Sequence, residues 1–380
     1  MRKTIYLDHS ATTPVEPAVF AAMTPYLTEK FGNASSIHSF GRDARAAVDE
    51  ARDTIASSVG ASAAEIHFTS GGTEADNLAV LGAARANRDR GDHIVTCATE
   101  HHAVLESCKR LEEEGFRVTY LPVDSEGLFD PSDVASAITD RTILVSIMHV
   151  NNEIGVIHPI SIIGRSASER GVLFHTDAVQ SFGVLRVDVD RLNVDLLSAS
   201  AHKIYGPKGA GFLYVRSGVR IEPLQFGGGQ ERERRPGTEN VAGIVGLGAA
   251  AELALSQIET TPPRLAALRD YLIDSILSRF PDAHVNGHRQ LRAPGNANIS
   301  FAGVEGEILL LNLDLEGIAA SSGSACTAGS THASHVLTAL QLSPELARGS
   351  LRLTVGRGTT KEDIDEALVA LETIVGRLRE

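Results

Sequence analysis

Val194-Asp195-Leu196-Leu197-Ser198-Ala199-Ser200-Ala201-His202-Lys203-Ile204-Tyr205-Gly206-Pro207-Lys208-Gly209 is an apolar run that passes through small residues to a His-Lys pair and a Gly-Pro turn. It reads as a buried strand that presents one lysine, Lys203, at its tip. Upstream, Phe174-His175-Thr176-Asp177-Ala178-Val179-Gln180 repeats the arrangement with an aspartate. Further strands are predicted at 65–69, 94–97, 117–122, 142–148, 172–175, 196–199 and 210–215, alternating with helices such as 44–59. Continuous apolar strands alternating with helices predict an α/β fold, a mostly parallel sheet with helices on both faces. Ligands of such sheets bind at the carboxyl ends of the strands.

Each strand runs into polar residues at that end: Thr69 into Gly71-Gly72-Thr73, Cys97 into Glu100-His101-His102, Met148 into Asn151-Asn152-Glu153. The strand before Asp177 also leads to Gln180, and Leu197 leads to Ser200, His202 and Lys203. Any one cluster is compatible with chance; the set points to one crevice. A lysine and an aspartate on neighbouring strand tips suit pyridoxal 5'-phosphate (PLP), the lysine holding its aldehyde and the aspartate its pyridinium nitrogen. The Gly71-Gly72-Thr73 turn opens a helix whose amides suit a phosphate, against the alternative of a plain glycine turn capped by Thr73. Ser200 and His202 flank the lysine and can complete the cup. His101 can stack on the cofactor ring, and Asn152 and Gln180 can reach its hydroxyl; satisfied loop residues are the alternative for each. Arg352 stands inside an apolar strand and needs an anion, either a substrate carboxylate or an internal ion pair.

The 380-residue chain is 43% hydrophobic and 22% charged, an ordinary globular composition of about two domains' length. A formal charge of -13 disfavours nucleic acid and membrane surfaces as partners. The start of the chain shows no apolar stretch of signal length, and 241–255 is too short to span a bilayer, so a cytoplasmic location is expected. Thr260-Thr261-Pro262-Pro263 is taken as the boundary between a large domain, 15–259, and a smaller α+β domain, 260–380, joined by the segment 1–14. Of three cysteines, Cys97 and Cys108 fall on apolar faces and read as core. Cys326 differs: Ser321-Ser322-Gly323-Ser324-Ala325-Cys326-Thr327-Ala328-Gly329-Ser330 gives it no apolar partner, which suits a nucleophile on a loop. Cys326, His332 and His335 could in spacing hold a metal, but three donors on such a loop favour a solvated segment, and no metal is expected. The run Glu231-Arg232-Glu233-Arg234-Arg235-Pro236-Gly237-Thr238 reads by composition as solvated surface.

Taken together these residues resemble the cysteine desulfurases, PLP enzymes of fold type I in the class V aminotransferase superfamily. The resemblance runs from Tyr6-Leu7-Asp8-His9-Ser10-Ala11-Thr12-Thr13-Pro14 to the last helix. Its markers are Gly32-Asn33-Ala34-Ser35-Ser36-Ile37-His38, Thr99-Glu100-His101-His102, Asn151-Asn152-Glu153-Ile154-Gly155, Ser200-Ala201-His202-Lys203, Arg235-Pro236-Gly237-Thr238-Glu239-Asn240 and the Cys326 segment. It implies that Lys203 holds PLP, Asp177 its ring nitrogen, and Gly72, Thr73, Ser200 and His202 its phosphate. It implies further that His101 stacks on the ring, that Gln180 and Asn152 meet its oxygen side, and that Thr238 reaches the phosphate of a second subunit in a homodimer. Arg352 matches the arginine for the substrate carboxylate, with Asn152 and Asn33 on the substrate side. The implied reaction takes sulfur from L-cysteine onto Cys326 as a persulfide and releases L-alanine. The sulfur then goes to an acceptor protein, for iron–sulfur cluster assembly or tRNA thiolation. The chain stops at Glu380, where some relatives carry a further tail for the scaffold, so the acceptor stays open. A selenocysteine lyase or another class V enzyme is the alternative activity, and a catalytically silent binding subunit the alternative class. Cys326 argues against a transaminase, and the intact Lys203, Asp177 and His101 against a silent subunit.

Overall fold

The computed structural model describes residues 4–322 and 334–379, so Cys326 and His332 lie outside the described residues. The strands are β1 (Ile5–Tyr6), β2 (Ile66–Thr69), β3 (His93–Cys97), β4 (Arg117–Leu121), β5 (Thr142–Ser146), β6 (Leu173–Asp177), β7 (Leu196–Ser200), β8 (Gly211–Val215), β9 (His284–Val285), β10 (Asn296–Ser300), β11 (Ile318–Ala319) and β12 (Ser350–Thr354). Seven of them form one sheet in the order β2-β8-β7-β6-β5-β3-β4. Only β8 runs against its neighbours; the ladders β3–β4, β3–β5, β5–β6 and β6–β7 are parallel.

The strands read as unbroken apolar runs because both faces are covered, and successive residues split between two cores. Val95, Val145, Leu197 and Phe212 enter one, beside helices Ser39–Val59 and Val241–Ser256. Their chain neighbours Ile94, Leu144, Leu196 and Leu213 enter the other, with Val104, Cys108 and Leu111 of helix His102–Glu113. This is the period-two alternation of a strand, with helices on both sides of the sheet. Cys97 and Cys108 are both buried, and burial pushes the Cys97 thiol up to about 12, which leaves it unreactive.

A separate core gathers Leu272, Ile299, Leu351 and Leu368 with Ile5 and Leu7 from the start of the chain. It surrounds the antiparallel sheet β12-β10-β9 and helices Thr261–Arg279 and Lys361–Arg379. We propose on this ground the division at 15–259 and 260–380. Thr260-Thr261-Pro262-Pro263 is less a linker than a start signal: its prolines fill the first turn of Thr261–Arg279, where a missing amide hydrogen costs nothing. Val336, Leu337 and Leu340, after the undescribed stretch, pack on the core beneath the large sheet.

Register decides where the chemistry emerges. The β6–β7 ladder sets Asp177 beside Ser198. Ser200 ends β7, and a 3-10 turn, Ala201–Lys203, follows. Asp177 and Lys203 therefore leave adjacent strands at the same edge of the sheet.

Candidate active site

The carboxyl edge opens on a cleft of about 290 Å³. Gly72, Thr73, His101, Asn152, Asp177, Gln180, Ser200, His202, Lys203 and Arg352 all line it. Two expected residues do not: Asn33 and Thr238 are exposed and absent from its walls. Cys326 lies outside the described residues, but the stretch that bears it joins the cleft region at both ends. Ser321 bridges to Arg352 through two backbone hydrogen bonds, and His335, just past the far end, lines the cleft.

Lys203 Nζ donates to the carbonyls of Ser10 at 2.5 Å and Ala11 at 2.8 Å, so the N-terminal segment folds over the lysine. Gln180 Nε2 donates to the same Ser10 carbonyl at 3.0 Å. The Asp177 carboxylate accepts the Val179 amide at 2.8 Å. Burial pushes this carboxyl up to about 6, opposed by that amide and by the Lys203 charge. His101 caps its helix by accepting the Ala103 amide on Nδ1 at 3.1 Å, which leaves the proton of the neutral ring on Nε2. Burial, then the Lys203 charge, push its imidazolium down to about 4. His202 is likewise pushed down to about 4, with Nδ1 against Thr12 Oγ1 at 3.1 Å. Both rings are thus neutral at ordinary pH.

The residues present fit PLP. Ser200 Oγ is buried with no hydrogen-bond partner among the described residues, as expected of a hydroxyl waiting for a phosphate. Gly72 packs closely on its neighbour: a Cβ there would come within 2.6 Å of the Val179 side chain. Gly71 has a φ of 153°, a conformation open to glycine. Asp177 lines the same cleft and offers the kind of carboxyl that a pyridinium proton needs.

Arg352 is buried in the wall of the cleft. Its Nη2 meets Asp8 Oδ1 at 2.9 Å and its Nη1 the Asn152 carbonyl at 2.9 Å. The internal ion pair weighed from sequence is therefore present, on a guanidinium that also lines the cleft. Asp76 and Glu153 were given no role from sequence, and His335 was weighed there only as a metal donor. Asp76 lies in the cleft wall near Asp177. Glu153, pushed up by burial, accepts the Ser334 hydroxyl at 2.5 Å, and His335 Nε2 meets the Glu100 carbonyl at 2.9 Å. These last contacts tie down the residues just past the Cys326 stretch. A signal for Asp76 existed: it stands in a run of buried apolar residues with Ala75, Ala79 and Val80, where a charge is out of place.

Fold and cleft together define a PLP-dependent enzyme. The chain belongs to the aminotransferase class-V family, whose model matches residues 5–367, and within it to the cysteine desulfurases. It is 54% identical over 379 residues to the cysteine desulfurase IscS of Dictyoglomus turgidum, covering 100% of this chain and 96% of that one. It is 54% identical to that of Methanosarcina thermophila, covering 99% and 93%. Among solved structures, a NifS-like protein superimposes with a TM-score of 0.93 at 36% identity, covering 99% of this chain and 100% of that one. SspA in complex with cysteine gives 0.82 at 39% identity, covering 93% and 99%.

Proposed function

We propose that this chain takes the sulfur of L-cysteine, releases L-alanine, and carries the sulfur on Cys326 to an acceptor protein. One observation carries the reading: Lys203, Asp177 and His101 converge in a single cleft that His335, just past the Cys326 stretch, also lines. Lys203 would hold the cofactor, with Thr73, Ser200 and His202 on its phosphate and Asp177 on its ring nitrogen. Bound PLP supplies a sink for the electrons left on the substrate α-carbon. Arg352 and Asn152 hold the substrate, the arginine exchanging Asp8 for the incoming carboxylate. Lys203 Nζ takes the α-proton, and the neutral His101 Nε2–H stands where a proton can be moved. Cys326 accepts the sulfur: an S–S bond forms as the substrate's Cβ–S bond breaks, and the β-carbon takes a proton to leave as alanine.

A homodimer completes the site in this reading. Thr238 sits on the exposed loop, and apolar side chains such as Phe31, Ile37 (92% exposed) and Phe226 (86% exposed) face outward unpaired with a core. A surface of that kind suits a second copy, whose Thr238 would reach the phosphate. We place the protein in the cytoplasm, handing sulfur to an iron–sulfur scaffold or a tRNA-thiolation enzyme. Among the described residues no single helix is long and apolar enough to cross a membrane.

Alanine and sulfide released from L-cysteine with a reductant test the reading. Wild type should give both in equal amounts, and Cys326→Ala and Lys203→Ala neither. Product from L-selenocysteine alone would move the assignment to a selenocysteine lyase.

A further inference from the structure

Asp76 is 1% exposed, and its Oδ1 has no hydrogen-bond partner among the described residues. It stands on the helix Gly72–Asn77, with one donor atom each of Asp76, His101 and Asp177 all within 4.8 Å of one another. Behind it runs a buried polar chain. Ser146 Oγ lies 2.8 Å from His175 Nδ1, His175 Nε2 lies 3.0 Å from Ser198 Oγ, and the Ser198 hydroxyl favours the charged form of Asp76. His175 Nε2 is 3.6 Å from Asp76 Oδ1, yet its full burial pushes the ring down to about 3 and keeps it neutral. Glu100 adds a third carboxyl, pushed up by burial, with its Oε1 on the Met148 amide at 2.7 Å. His101 is neutral as well.

Two carboxylates this close in a dry site do not both ionise. The surroundings choose which one does. Asp177 has the Val179 amide and the attraction of Lys203; Asp76 has a single serine hydroxyl.

We propose that Asp76 is a positioning residue acting through Asp177: it keeps a proton while Asp177 keeps the charge, so the pair presents one negative charge to the cofactor's ring nitrogen. This rests on the cofactor reading above. A second charge behind Asp177 would over-stabilise the ring proton, and a missing acid would leave the polar chain without its terminus.

The test is an NMR titration of holoenzyme carrying PLP isotopically labelled at the ring nitrogen, from mildly acidic to strongly alkaline pH. Wild type should show an alkaline step, as Asp76 gives up its proton, in addition to any acid-side change. Asp76→Asn should keep the cofactor and the acid side and lose the alkaline step. Ser198→Ala removes the hydroxyl that favours the charged form, so it should move that step to higher pH. Asp177→Asn is the comparison and should lose the protonated-nitrogen signal. An Asp76→Asn curve superimposed on wild type, or one that loses the ring proton as Asp177→Asn does, overturns the proposal. If Asp76→Asn does not fold, an unmoved step in Ser198→Ala overturns it equally. A wild type with no bound-PLP signal would instead overturn the cofactor reading itself.

Discussion

Asp177 is a buried carboxyl, and its energetics follow from that burial. In the apoprotein its value is raised from 3.8 to about 6. The folded state therefore holds the proton more tightly than the unfolded chain. Below 3.8 both states are protonated and burial carries no charge penalty; above 6 the penalty is fully present. Asp177→Asn should thus stabilise the apoprotein at neutral pH by about 1–3 kcal/mol, with the gain vanishing near pH 4. Thermal melts of the two apoproteins at both pH values check it. The same substitution should weaken PLP retention, because the pyridinium loses its counter-charge. Lys203 and Asp177 were legible in sequence because apolar strands ended in charged residues. Asp76 offered only a charge among buried apolar residues and Glu153 no signal, because their neighbours lie on other elements: Asp177 for one, Ser334 for the other.

Among the elements, the loop after β8 departs most from its sequence reading. The run from Glu231 to Thr238 looked like solvated charge. Glu231 is in fact buried, and forms a two-point ion pair with Arg52 at 2.8 and 2.6 Å while accepting the Phe68 amide at 2.9 Å. Composition hid this because Arg52 lies 179 positions away. Glu231, Arg232 and Glu233 all have positive φ, at 46°, 57° and 66°, a left-handed run that non-glycine residues avoid. Such backbone persists where its surroundings hold it. Arg235 pairs with Glu74 at 2.8 Å and Arg45 with Glu239 at 2.6 Å on the far side of the turn. The loop that carries Thr238 is thereby bolted to the helix Gly72–Asn77 and to the helix Ser39–Val59. Glu231→Ala leaves the Arg52 charge buried and unpaired, and should cost about 3–5 kcal/mol. Urea unfolding measures it, and a loss below about 1 kcal/mol would show the pair to be incidental.

At the scale of the molecule, the sheet and the strand-end cleft were readable because periodicity and strand ends are local properties. The parts proposed for Asn33 and Thr238 were not readable from pattern, because both stand away from the cleft of their own chain. A homodimer is expected in solution, by light scattering. Thr238→Ala should weaken PLP binding about tenfold through loss of a charge-assisted hydrogen bond. Mixed with Lys203→Ala under exchange, it should recover activity, because one site of each mixed dimer then has both residues; no recovery would place Thr238 outside the partner's site. The central claim is that sulfur leaves L-cysteine for Cys326. Its most direct test is one equivalent of L-cysteine without reductant, followed by alkylation and mass analysis of the cysteine peptides. The account expects one extra sulfur atom on Cys326 and one alanine per subunit. Alanine formed with the extra sulfur on Cys97 or Cys108, or with no persulfide on Cys326, would contradict it.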